Sequence, residues 1–180
     1  VLYLVDFASG FSQRLTFGRE SVHLNDISPD GKRLLLSRNH HDLTQHPFDH
    51  TDIYEMHLDD GRVDTLLTNQ PWLDEGVYSP DGKQLLFKGS ASAFGGIGSA
   101  LPKDEVAQSF DKRLYLYNPS TKVATALLKD FAPSVGEYEW NAGDDKIYMR
   151  CTDGYDETLW RLDPRTGKRF RFELPTTVVQ

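Results

Sequence analysis

Five of the six histidines fall between positions 40 and 57: His40, His41, His46, His50 and His57, with Asp42, Asp49 and Asp52 interleaved. Imidazole and carboxylate at this density form the donor set of a metal site, provided a second layer of contacts holds the ligands still. His46 and His50 stand at i and i+4, and share a face if Pro47 opens a helical turn. A segment this polar reads first as a solvated loop that lacks such support, so no metal ligand is assigned. His57 lies within an apolar run and reads as a strand residue with a structural role. Gly95-Gly96-Ile97-Gly98 has the glycine density of a phosphate loop but not the following Lys-Ser/Thr or the strand-to-helix setting, and reads as a flexible insertion. The stretch 90–110 around it is long for a hairpin connection, a length at which loops of compact domains are often functional.

Other groups reduce to ordinary chemistry. Arg165, Lys168, Arg169 and Arg171 form a small basic cluster that reads as solvated. Asp59-Asp60 and Asp144-Asp145 are better explained as turn residues than as calcium ligands. Tyr3, Tyr54, Tyr115 and Trp160 are not interleaved with Lys and Arg as a nucleic-acid stacking platform requires, and are assigned to packing between repeats.

The elements that carry these residues come from repetition. Ile27-Ser28-Pro29-Asp30-Gly31-Lys32 followed by Leu34-Leu35-Leu36 returns as Tyr78-Ser79-Pro80-Asp81-Gly82-Lys83 followed by Leu85-Leu86-Phe87, and in degraded form as Trp140-Asn141-Ala142-Gly143-Asp144-Asp145-Lys146. In phase with it run Leu2-Tyr3-Leu4-Val5-Asp6, Ile53-Tyr54-Glu55-Met56-His57, Leu114-Tyr115-Leu116-Tyr117-Asn118 and Leu159-Trp160-Arg161-Leu162-Asp163. Self-similarity at this period marks propellers and other arrays. In Ser-Pro-Asp-Gly, Pro presets φ, Asp bonds to nearby backbone, and Gly accepts φ > 0, so each copy predicts a tight hairpin with Gly31 and Gly82 at positive φ. Each unit then reads as four strands. The chain is expected to be all-β: a β-propeller fragment of about three and a half four-stranded blades from a seven- or eight-bladed ring. Its predicted divisions are a half blade at 1–17 and complete blades at 20–68, 76–130 and 135–174. The opening Val1-Leu2-Tyr3-Leu4, without initiator Met or signal-type stretch, reads as an excised piece of a longer chain.

Composition agrees. The 180 residues hold 20 Lys+Arg against 27 Asp+Glu, a net charge of −7, with 38% hydrophobic residues. That is too apolar for a disordered chain and too acidic for a nucleic-acid binder. No apolar run approaches the roughly 20 residues of a membrane span. The single cysteine, Cys151, excludes an internal disulfide.

The two Ser-Pro-Asp-Gly-Lys hairpins with their Leu-Leu continuation resemble the TolB-like, WD-related propeller repeat. Gly89-Ser90-Ala91-Ser92-Ala93-Phe94-Gly95-Gly96-Ile97-Gly98, Lys129-Asp130-Phe131-Ala132-Pro133-Ser134-Val135 and Leu159-Trp160-Arg161-Leu162-Asp163-Pro164 resemble the N-terminal propeller of bacterial prolyl-oligopeptidase-family serine peptidases, of the dipeptidyl-aminopeptidase and acylaminoacyl-peptidase sort. The resemblance implies a propeller that gates and orients peptide substrates for a C-terminal α/β-hydrolase domain, which would be a partner of this chain. It also leans to a periplasmic or other extracytoplasmic location. The hydrolase nucleophile elbow, Gly-x-Ser-x-Gly, is missing; Gly96-Ile97-Gly98-Ser99-Ala100 has the wrong spacing. A paired-glutamate helix for a substrate amino terminus is missing too, since Tyr138 separates Glu137 from Glu139 and Asp104-Glu105 is only a vague echo. No catalytic, cofactor-binding or metal residue is therefore carried over, and no cofactor is expected. The expected reading is the non-catalytic propeller of a serine peptidase; the alternative is a stand-alone TolB-like propeller that binds another protein. In a four-stranded meander the first and third connections leave at one end and the second at the other. The His-rich loop (39–52) and the Gly-rich loop (89–112) are both second connections, so they are expected on one face of adjacent blades. The cut edges of the partial ring are expected to make the chain self-associate.

Overall fold

The computed structural model describes residues 1–18, 20–98 and 109–173. The strands in chain order are β1 (Tyr3–Val5), β2 (Ser12–Arg14), β3 (His23–Ile27), β4 (Arg33–His41), β5 (Asp49–His57), β6 (Val63–Pro71), β7 (Leu73–Tyr78), β8 (Leu85–Ser90), β9 (Lys112–Asn118), β10 (Val123–Ala126), β11 (Ser134–Asn141), β12 (Lys146–Asp153), β13 (Asp156–Leu162) and β14 (Arg169–Arg171). A single turn, α1 (Ala93–Gly96), lies between β8 and β9. The strands form one two-stranded sheet, β1-β2, and three four-stranded antiparallel meanders, β3 to β6, β7 to β10 and β11 to β14. The molecule is an all-β, partial multi-bladed propeller.

The hairpin turns form as their residues dictate. Ser28 Oγ donates to Asp30 Oδ1 at 2.5 Å and accepts from Arg33 N–H at 2.9 Å, while Gly31 N–H donates to the Ser28 carbonyl at 2.8 Å. Ser79, Asp81, Gln84 and Gly82 repeat the pattern. Gly31 and Gly82 take φ of +71° and +67°, the region where a Cβ is disfavoured. The degraded copy closes differently. Asp145 N–H donates to the Asn141 carbonyl, with Asp145 itself at φ +56°, so the left-handed residue sits one position later.

The core lies between sheets, not within them. Leu35, Ile53, Phe87, Tyr115 and Tyr117 fill the seam between the second and third sheets. Leu86, Leu114, Ile147, Met149 and Leu162 fill the next. Leu34, Leu36 and Met56 face β1-β2. Consecutive residues of a strand point to opposite faces, so Leu34-Leu35-Leu36 and Leu85-Leu86-Phe87 feed both neighbouring seams at once. This is why the repeat needs uninterrupted apolar triplets where a one-sided sheet would alternate. Each fully buried side chain of this size contributes roughly 1.5–3 kcal/mol. Tyr115 is wholly buried and Trp160 and Tyr54 are partly so, as packing between repeats requires, whereas Tyr3 is exposed. Cys151 is a buried free thiol, pushed up to about 12 by burial.

Polar bridges add to the seam between the second and third sheets. Asp26 Oδ2 accepts the Tyr78 N–H at 2.8 Å, joining the edge strand β3 to β7. Arg33 donates to Glu55 at 3.1 Å and to the Gly82 carbonyl at 3.0 Å, and the Tyr78 hydroxyl donates to the same Glu55 oxygen at 2.9 Å. Among the described residues no helix is long and apolar enough to cross a membrane.

Candidate functional site

The β4–β5 and β8–β9 connections emerge on one face of adjacent sheets, and the space between them is a cleft of about 810 Å³. His46, Pro47 and Phe48 of the first connection line it, with Trp72 and Asp74, and with Ser109 and Lys112 at the end of the second connection. Asn25 and Asn39 line its floor. Both loops singled out in the sequence therefore border a common cavity.

The histidine segment is more ordered than a solvated loop. β4 runs through His41 and β5 starts at Asp49, so only 42–48 is connection. The reason is cross-strand pairing. His40 stacks on buried His50 with ring centroids 5.7 Å apart, and His41 Nδ1 lies 2.8 Å from Asp49 Oδ1. No helical turn follows Pro47, so His46 and His50 do not share a helix face. His46 packs instead on Trp72 and Phe48, at 5.6 and 6.0 Å between ring centroids. His57 sits at the far end of β5, roughly 23 Å from His50 at the usual rise per strand residue. The five histidines are thus three separate features, not one metal site.

Asp52 anchors the base of this region. Burial raises its carboxyl, but the Asn69 N–H at 2.8 Å, the Arg38 guanidinium at 2.6 Å and the Tyr54 hydroxyl at 3.0 Å outweigh it and hold the group below the usual carboxylate range. The bond from Asn69 fixes the start of the linker that delivers Trp72, itself at φ +67°. Gly89 lets that linker approach: a Cβ there would lie 2.9 Å from the Trp72 carbonyl, which accepts the Ser90 N–H.

Within the cleft, Asp74 is paired with Lys112 at 2.7 Å and Glu75 with Lys88 at 2.6 Å. Thr51 Oγ1 lies 3.0 Å from the Leu73 carbonyl and 3.1 Å from Asn39 Oδ1. Asn25 Oδ1 accepts from the Ser37 hydroxyl at 2.9 Å, and its Nδ2 is buried without a partner among the described residues. The aromatic side chains offer an apolar surface of the kind that peptide side chains pack on, and the carboxylates at the rim are already paired with Lys112 and Lys88. They provide no nucleophile. Among the described residues no serine hydroxyl is hydrogen-bonded to a histidine.

The Gly-rich segment differs from a flexible insertion as far as it is described. Phe94, Gly95 and Gly96 take successive positive φ values, which turns the Phe94 ring inward onto Phe87, Tyr115 and Tyr117. Gly98 approaches the Tyr115 hydroxyl so closely that a Cβ would fall 2.0 Å from it. Ser99 and Asp104-Glu105 lie outside the described residues. Glu137 and Arg150 pair at 2.7 Å on the fourth sheet, away from the cleft. Of the basic cluster, Arg165 pairs with Asp145 at 2.6 Å. Asn25, Trp72 and Lys112 were not singled out in the sequence. The one available signal was Gln70-Pro71-Trp72, a Pro-aromatic step where one repeat meets the next.

A larger cleft of about 1020 Å³, lined by Leu4, Phe17, Leu36 and Met56 among others, lies between β1-β2 and the second sheet. It is the face that two strands cover only in part, and Arg14, Glu20, Arg38, His57, Asp59 and Asp60 also line it.

No family model matches the chain, and no curated protein matches it. Solved structures do. TolB from Acinetobacter baumannii superposes with a TM-score of 0.65 at 23% identity, over 94% of this chain and 36% of that one. An oligogalacturonate lyase in complex with manganese gives 0.71 at 17%, over 98% and 49%. The β-propeller domain of the Trilobed protease from Pyrococcus furiosus gives 0.60 at 18%, over 94% and 47%. At these identities the likeness establishes the propeller fold. The chain spans less than half the length of each of these three proteins.

Proposed function

We propose that the chain is the non-catalytic propeller portion of a serine exopeptidase or oligopeptidase, and that the face carrying the β4–β5 and β8–β9 connections gates and orients peptide for an α/β-hydrolase domain elsewhere in the parent protein. The observation that carries this reading is the cleft between those connections, with His46 packed on Trp72 at its side. Its likeness to a protease propeller and the absence of a Gly-x-Ser-x-Gly elbow from this sequence support it. The propeller's part would be selection: a short extended peptide enters along the aromatic side chains, where a folded chain would not fit.

The second reading, a TolB-like propeller that binds another protein, draws on the superposition with TolB. The parent coding sequence beyond Gln180 separates the two. A Gly-x-Ser-x-Gly elbow followed by Asp and His is the expected result; a chain that ends without a hydrolase domain favours the binding module.

A further inference from the structure

At the end of β5 remote from the cleft, the second sheet departs from its own repeat. The turn into the outer strand starts from Asp6, Asn118 and Asp163 in the other sheets, and there the side-chain oxygen caps the turn by accepting from Ser9, Ser120 and Arg165 N–H. The second sheet has His57 at this position, although its turn closes the same way, Gly61 N–H donating to the His57 carbonyl at 2.9 Å. Two residues back along the strand, Glu55 faces Asp64 across the ladder, where the third and fourth sheets pair Leu116 with Thr125 and Arg161 with Phe170. Carboxylates placed directly opposite repel, so the position requires positive charge, which Arg33 and Arg62 supply in this structure and which a bound cation could supply in place of Arg62.

The contacts show where that cation would sit. His57 Nε2 lies 3.0 Å from Asp64 Oδ2, 3.6 Å from Glu55 Oε1 and 2.9 Å from Arg62 Nη2. These cannot all be satisfied: a nitrogen that donates to Asp64 cannot accept from Arg62, and the reverse holds for the other tautomer. Glu55 is nine-tenths buried. Its Oε2 takes the Arg33 and Tyr78 bonds, while Oε1 takes none among the described residues and faces His57. One ligand atom each from Glu55, His57 and Asp64 can be chosen within 4.8 Å of one another. Donors 2.0–2.2 Å from a tetrahedral zinc ion are about 3.3–3.6 Å apart, against 3.0 and 3.6 Å from His57 Nε2 to Asp64 and Glu55.

We propose that Glu55, His57 and Asp64 form a zinc site in which the ion takes the place now filled by the Arg62 guanidinium. Arg62, exposed and now donating through Nη1 to both Asp64 oxygens at 2.7 and 2.5 Å, would give up these bonds and swing into solvent, and water would complete the tetrahedron. Arg33 and the Tyr78 hydroxyl hold the Glu55 carboxylate in orientation, as outer contacts do around bound zinc. Linking β5 and β6 next to the Arg33 bridge, the ion would stiffen the seam between the second and third sheets.

Titration of the 180-residue chain with zinc chloride, followed by calorimetry and by the histidine ring signals, tests the proposal. One ion should bind with the His57 signals shifting most. His57→Asn installs the residue the third sheet already carries, so it should fold; its affinity should fall by about 100-fold or more, beyond the 10–100-fold loss typical of outer contacts. Arg62→Ala should bind more tightly, because a competing cation is gone. His41 and His46 are the other places zinc could gather, and a His41→Asn/His46→Asn variant should keep the His57 response. Binding that survives His57→Asn, that vanishes in the His41/His46 variant, that weakens in a folded Arg62→Ala protein, or that is absent at millimolar zinc would each overturn the assignment.

Discussion

A Cβ built at Gly31 meets nothing within 4 Å, whereas one at Gly82 falls 2.9 Å from Arg33 Nη2, although both glycines occupy the same place in the repeat. Gly31→Ala should therefore cost only the conformational penalty of a positive φ, about 1 kcal/mol. Gly82→Ala should cost more, because it also displaces the Arg33 bond to the Gly82 carbonyl. Urea midpoints of the two variants measure the difference, and equal shifts would mean that Arg33 adds nothing across the seam. Asp163 supports a second expectation. Lys146, with backbone donors from Thr166 and Arg165, holds its carboxyl at about 2 against an ordinary 3.8. The folded value is the lower one, so the group stabilises the fold above about pH 4, and that contribution is lost as pH falls through about 2. The stability difference between the wild-type chain and Asp163→Asn should shrink across that window. A difference that stays flat from pH 5 to about 2 would contradict the pairing.

Within one element, the strands and their turns were legible because their chemistry is local: Ser-Pro-Asp-Gly closes on its own side chains, and two-sided burial writes Leu34-Leu35-Leu36 directly into the sequence. The histidine segment was not legible as strand. Its order comes from partners across the ladder, His40 on His50 and His41 with Asp49, and a chain read along its length does not announce which residue will face which. The same holds for Phe94, whose inward turn depends on aromatic rings from β8 and β9 that lie far along the chain. Trp72 and Asn25 belong to the cleft only through the meeting of two sheets. Pairing between elements can be weighed at Tyr78, whose hydroxyl donates to buried Glu55 from the neighbouring sheet. Tyr78→Phe should destabilise by about 1–3 kcal/mol, the range for a bond to a charged, buried group. Loss of that effect in an Arg33→Met background would assign it to the three-residue cluster and not to the ring itself.

Across the whole molecule, the seams that hold the sheets together also define what the chain leaves open. Tyr3, Leu4, Val5, Phe7, Phe11 and Phe17 are exposed around the two-stranded sheet, beside the partly covered apolar cleft. Unprotected strand edges and apolar patches of this kind drive association. The 180-residue chain should therefore sediment as a dimer or larger species at low micromolar concentration, and a strictly monomeric species would show those surfaces to be inert. The opposite expectation holds for the loop face, whose rim carboxylates Asp74 and Glu75 are paired with Lys112 and Lys88. Titrating ¹⁵N-labelled chain with short unblocked peptides tests the central claim most directly. Shifts confined to the Trp72 indole and residues 46–49, and lost in Trp72→Ala, are the expected result. Shifts that map instead to the turns at 28–32 and 58–62, or no shifts at all, would contradict it.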